Sequence, residues 1–225
     1  GAALAGRNTY APLPASAVHT FCHAVPARWY QMGVVLAATD SLNWLSRVTG
    51  QSAQALSESA GIDLMAPGPI KFYPYLSGER TPHNNAHVRG GLTGLDVATD
   101  PSDLTRAVMA GVCFALRDSF EALKATGATL DTALAIGGGS QSDLWCKMLA
   151  TTLNIPLERP QEGAFGAALG AARLAMCGVT GAAPDSIMTK PPIADIIHPQ
   201  PDLVQAYDAA YQDFAAAYPT LKAMP

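Results

Sequence analysis

Apolar positions along this chain change period several times, and each change marks an element. The longest regular stripe runs through Leu104, Val108, Val112, Ala115, Leu116, Phe120 and Leu123, the three-and-four spacing of a helix with one buried face. Asp100, Pro101 and Asp103 open it with a capping acid pair and a proline at the first helical position, and Gly127 lies beyond its end. Gly111 in its middle costs about 1 kcal/mol relative to alanine, so a neighbour is expected to come close there. Shorter helical patterns cover 37–48, where Leu42, Leu45 and Val48 share a face before Gly50, and 52–59, closed by Gly61. Two more helices are predicted over 163–176 and 203–218.

Strand patterns fall between them. Residues 18–24 and 29–36 flank Pro26, and 70–75, 132–136 and 155–158 follow. A long polar loop, 77–91, holds Pro82, His83, Asn84 and Asn85; loops of that length inside a domain are usually functional or mobile. A polar, Pro-rich connector precedes the last helix. The order predicts an α/β domain with helices packed over a sheet.

Composition narrows the possibilities. A chain of 225 residues can hold one large domain or two small ones, and a core that buries roughly 70% of its unfolded surface needs no staples; it is read as a single domain over 1–225. Hydrophobic residues make up 49% and charged ones 14%, which fits a tightly packed interior or an apolar surface covered by a partner. The net charge of −4 and the lack of a basic stripe argue against nucleic acid. The small-residue run 163–178 is shorter than the roughly 20 residues of a membrane span and contains Arg173, so no membrane role is expected. Cys22, Cys113, Cys146 and Cys177 stand far apart among apolar neighbours, as buried free thiols of a reducing cytoplasm do. The chain opens without methionine on a Gly/Ala stretch, then Pro12 and Pro14, and is read as a domain cut from a longer protein.

The candidate chemistry sits at 137–140. A strand ending at Ile136 runs into Gly137, Gly138, Gly139 and Ser140, and a helix follows. Glycines at such a corner let backbone N–H groups approach a ligand, and the helix start favours negative charge. Ser140 and Asp143 fit a capping box. The expectation is a nucleotide site. The spacing Gly137-x-Gly139-x-x-Ser142, with Glu158 about 20 residues on, also approaches a dinucleotide fingerprint, although serine stands for the third glycine. Gly163, Gly166 and Gly170 line one helix face, for close packing or for a loop at 160–163 that nears the same ligand. His19 and His23 would lie about 13 Å apart along a strand, too far to share an ion, and no metal ligands are assigned. Glu79 and Arg80 suit either a substrate contact or a loop-fixing ion pair.

Several stretches together resemble the C-terminal domain of the FGGY carbohydrate kinases, nearest the xylulokinase branch. They are 18–24 (VHTFCHA), 29–33 (WYQMG), 75–84 (YLSGERTPHN), 90–95 (GGLTGL), 104–118 (LTRAVMAGVCFALRD) and 137–145 (GGGSQSDLW). The resemblance covers roughly 18–178. It implies an RNase H-like lobe of the actin/hexokinase superfamily, a mixed sheet with packed helices. It further implies an ATP-dependent kinase of two lobes, with a pentulose in the cleft and ATP, with Mg²⁺, held mainly by this lobe. Carried over by position, Gly138, Gly139 and Ser140 contact the nucleotide. Asp143 stands where an adenine-contacting Asn is usual, Asn43 where some members place a nucleotide-contacting Gln, and Ala110 where an acid is usual. The N-terminal lobe with its Asp-x-Gly-Thr loop and the catalytic Asp have no counterpart here, so the isolated chain is expected to be inactive. Its expected partners are its own N-terminal lobe, sugar and ATP, with self-association through the uncovered cleft face. A kinase for another pentulose or polyol, an NAD-dependent dehydrogenase and a non-catalytic actin-like module are the alternatives.

Overall fold

Small residues dominate the first strand, and large ones the two that complete its sheet. In the computed structural model, which describes residues 1–161 and 166–224, β1 (Ala2–Arg7), β2 (His19–Cys22) and β3 (Trp29–Val34) pair antiparallel in the order β1-β3-β2. Ala2 lies opposite Val34, and His19 opposite Met32. β2 and β3 fall where the sequence places them. β1 was not anticipated, because alanine and glycine carry little strand preference, and cross-strand pairing with β3 supplies what propensity lacks.

After β3 the chain turns into α1 (Asp40–Thr49), which ends on Gly50 at φ +70°, and α2 (Ala53–Ser59), capped by the Ser52 hydroxyl. β4 (Lys71–Tyr73) and β5 (Gly91–Thr93) form a two-stranded ribbon around the polar loop. α3 (Pro101–Lys124) begins with the expected reciprocal cap between Asp100 and Asp103. Of its 24 residues 15 are buried, so elements pack around it on several sides rather than along one stripe. Glycine is required where two of them approach. A Cβ on Gly111 would collide with the Phe72 carbonyl, and one on Gly33 would lie 2.8 Å from the Ser119 Cβ. The close neighbour expected at Gly111 is therefore β4.

The second half comprises β6 (Ala133–Leu134), a 3-10 turn (Gly138–Gln141), α4 (Asp143–Leu153), β7 (Leu157–Pro160), α5 (Gly166–Thr180), α6 (Pro184–Ile187), β8 (Ile193–Ile197) and α7 (Pro201–Ala223). β6 runs parallel to β7, and β8 antiparallel to it, which gives the mixed sheet. The strands belong to three small sheets, not one. The expected strand at 132–136 keeps only two paired residues, although Ala135 N–H still reaches Glu158 O at 2.9 Å. The connector holds α6 and β8, hidden in the sequence by flanking prolines and by Asp195 within the strand. The predicted helix start at Gly163 lies outside the described residues.

An aromatic core joins the halves: Phe214 of α7 stacks on Tyr73 with ring centroids 5.4 Å apart and meets Phe114 of α3 at 5.5 Å. All four cysteines are free. Cys113 and Cys146 are buried as expected, but Cys22, at the end of β2, is exposed. Among the described residues no helix is long and apolar enough to cross a membrane.

Candidate nucleotide site

The glycine corner is built by its own hydrogen bonds. Gly137 adopts φ +87°, a conformation that disfavours any side chain, and turns the chain out of the strand direction. Its carbonyl then receives Ser140 N–H at 3.1 Å and the Ser140 hydroxyl at 2.7 Å. The expected capping box between Ser140 and Asp143 does not form. Three consecutive glycines allow a 3-10 turn first, so the helix starts later and Ser142 caps it, accepting Trp145 N–H at 3.3 Å. Ser140 is buried, and its own carbonyl is gripped by Cys146 Sγ at 3.4 Å and Arg159 Nη1 at 3.2 Å.

This leaves two donors unused. Among the described residues neither Gly138 N–H nor Gly139 N–H meets an acceptor. A Cβ on Gly138 would have nothing within 4 Å, so that side of the turn opens to solvent. A Cβ on Gly139 would stand 3.1 Å from the Thr39 methyl, and Thr39 is the residue before α1. Asn43 follows Thr39 by one helical turn, so the fold brings the N-terminal part of α1 to the corner. Asn43 is exposed, with Nδ2 3.4 Å from Asp40 Oδ1. Asp143 is held by Arg159 at 2.6 Å, and Arg159 also bonds Asp195 through Nε at 2.9 Å. These two carboxylates keep the guanidinium well above its ordinary pKa. Arg159 thus ties the front of α4 to β7 and β8.

With this geometry in view, residues 3–179 match the FGGY family of carbohydrate kinases, C-terminal domain. The chain belongs to the FGGY family. It is 45% identical to the xylulose kinase of Escherichia coli K12 over 163 residues, which is 72% of this chain and 34% of that protein. The xylulose kinase of Klebsiella pneumoniae is 39% identical over 211 residues, or 93% and 44%. A crystal structure of a xyloylose kinase from Brucella ovis superposes with a TM-score of 0.95 at 49% identity, covering 100% of this chain and 46% of that one. The chain therefore spans between a third and a half of these relatives.

The other residues singled out in the sequence of this FGGY domain have local duties. Glu158 forms an ion pair with Lys190 at 2.5 Å, and although β6 and β7 are parallel, β8 turns antiparallel after them, so the acid is engaged elsewhere and the sheet does not continue as a dinucleotide fold's does. Gly166 lets α5 approach Ile136, where a Cβ would sit 3.1 Å from Ile136 Cδ1, whereas Gly170 faces open space. His19 Nε2 pairs with Arg80 at 2.9 Å, and His23, beyond the end of β2, accepts Val25 N–H.

Of the two readings open for Glu79 and Arg80, the ion pair between them is not formed. Glu79 is 2% exposed and points inward, its Oε1 accepting Arg80 N–H at 2.7 Å and Leu36 N–H at 3.2 Å. Burial, aided by Asp118 and opposed by these N–H groups and the Gly1 amino group, pushes the carboxyl up to about 7. Burial raises Asp118 to about 6, against the Tyr211 hydroxyl that donates to it at 2.8 Å. His83, beside Asp118 at 3.8 Å, is lowered to about 4 by burial and by Lys222.

Sequence reasoning missed three residues that shape the corner. Trp145 forms its floor and anchors by Nε1–H to Met109 O at 3.1 Å, Thr39 walls it, and Arg159 braces it. Only Arg159 carried a signal, a cation at the end of the strand that follows the glycines.

Proposed function

We propose that this domain holds the nucleotide in an ATP-dependent sugar kinase whose acceptor is a pentulose, D-xylulose first among them. The observation that carries this reading is the pair of N–H groups at Gly138 and Gly139, which among the described residues meet no acceptor, at a corner with open space over Gly138. Asn43 and the Thr39 end of α1 form the facing wall, and Asp143 with Arg159 sets the rim on the other side. The 39–49% identity to relatives named xylulose or xyloylose kinases supports the choice of sugar.

Phosphoryl transfer asks a protein chiefly to position the phosphates and neutralise their charge. The amides of 138–139 do the first for the inner phosphates. Mg²⁺ would enter with the nucleotide phosphates and supply the charge neutralisation that the amides do not. The carboxylate that takes the sugar hydroxyl proton belongs to a second lobe, in a cytoplasmic enzyme. By itself the chain binds nucleotide and does not turn over.

The test is a coupled assay for ADP release with D-xylulose and ATP. The chain joined to its N-terminal lobe is expected to phosphorylate xylulose, and the 225-residue chain to show no activity. An assembled enzyme that ignores every pentulose, or a chain active alone, contradicts the proposal.

A further inference from the structure

We propose that Glu79 is a positioning residue of the nucleotide site: its buried carboxylate sets the turn that delivers the N-terminus of α1 to the glycine corner. The proposal rests on the nucleotide reading above and gives the polar loop a part in it.

The connection is short. Glu79 Oε1 accepts Leu36 N–H at 3.2 Å, and Leu36 precedes by three residues Thr39, whose methyl walls Gly139. The same loop grips the residue before the turn from both sides. Thr81 N–H donates to Val34 O at 3.0 Å, and Val34 N–H donates to Thr81 Oγ1 at 2.9 Å. Glu79 is itself immobilised, since its backbone exchanges two hydrogen bonds of 2.8 Å with Asn85. Val35 is paired with Gly1 at the start of β1. Residues 34–36 are thus held on every side, and 37–39 follow from them.

The other end of this lever needs that support. Thr39 makes no side-chain cap to α1; the first turn closes only through its own backbone, with Ser41 N–H on Ala38 O at 3.0 Å and Leu42 N–H on Thr39 O at 3.1 Å, and through the Ser41 hydroxyl on Ala37 O, so the turn travels as a unit with residues 34–36. An arrangement made for stability alone would not look like this. Glu79 Oε2 is buried with no partner among the described residues, and an acid with one orphaned oxygen is a poor source of stability. What the carboxyl group does provide is an acceptor, Oε1, for one amide, Leu36 N–H, on the path to the site.

ADP titration of the 225-residue chain by calorimetry, with circular dichroism to confirm folding, tests this. Glu79→Ala should weaken ADP binding roughly tenfold, while Glu79→Gln, which keeps an acceptor for Leu36 N–H, should stay within about threefold of the wild type. A folded Ala variant that binds ADP as the wild type does overturns the proposal. Should the Ala variant not fold, Glu79→Asp replaces it, because the shorter acid keeps the charge but loses the reach; wild-type affinity there overturns the proposal equally. A folded wild-type chain that ignores millimolar ADP sinks the nucleotide reading itself, a different failure from loss of the Glu79 effect.

Discussion

The glycine corner and the polar loop 74–90 are both rich in hydrogen-bonding groups, yet they use them in opposite directions. At the corner, internal bonds close the turn on its inner side, through Ser140 and Arg159, and leave the Gly138 and Gly139 amides without an acceptor among the described residues. In the loop three polar side chains turn inward, Glu79, Tyr75 and Thr81, at 2%, 0% and 1% exposed, while Ser77, Asn84, His87 and Arg89 stay at the surface. Glu79 Oε2 and the Tyr75 hydroxyl are left without partners among the described residues. An exposed unpaired donor costs little because water satisfies it, and a ligand can displace that water; a buried unpaired group costs about 1–3 kcal/mol. The corner is therefore suited to binding, and the loop to holding.

The largest effect expected from this contrast is at Gly138. A Gly138→Val side chain would point into open space, so the fold should survive while the approach to the amides closes. ADP at ten times its dissociation constant should stabilise the wild-type chain by about 1.4 kcal/mol, and thermal denaturation should find that gain abolished in the variant. Gly139→Val is the less clean choice, since its Cβ would also press on Thr39. A retained shift in Gly138→Val would break the contrast at the corner.

Next in size is the pH response of the loop. The Glu79 carboxyl, pushed up to about 7, is favoured in its neutral form by the fold. Stability from that preference is complete below the ordinary carboxylate pKa and is lost as pH rises through about 7. Asp118, raised to about 6, acts in the same direction, and His83, lowered to about 4, in the opposite one, so the informative quantity is the difference between variant and wild type. The Tm of Glu79→Gln relative to wild type should rise by about 5 °C from pH 5 to pH 8. A constant difference would mean that the carboxyl titrates normally.

The smallest effect is at Tyr75. Removing its unpartnered hydroxyl in Tyr75→Phe should leave stability unchanged or raise it by up to about 1 kcal/mol in urea unfolding. A clear loss would show that the hydroxyl has a partner such as bound water, which would weaken the picture of a loop that tolerates orphaned groups.

The sequence revealed the two regions unequally. The corner was legible because its requirements are local: the backbone at 137 favours glycine, and a Cβ at 139 would press on the Thr39 methyl. Even so, the helix start was misplaced by two residues, because a 3-10 turn competes with a capping box when three glycines precede it. The loop was read as mobile or functional from its length and polarity. Its inward orientation depends on partners far away in sequence, Leu36 for Glu79, Val34 for Thr81 and Asp118 for His83, which no local pattern encodes. β1 and β8 were missed for the same reason: one is made of alanines and glycine, the other is broken by Asp195, and each becomes a strand by pairing with a neighbour. The long helix α3 was the clearest element, since its cap and its stripe agree.

Amide-resolved NMR during ADP titration of the chain addresses the corner amides most directly. The Gly138 and Gly139 resonances should move furthest, and both should follow the calorimetric dissociation constant. If they stay in place while ADP saturates resonances elsewhere, or if slow exchange shows them already bonded inside the protein, the corner is not where the nucleotide sits.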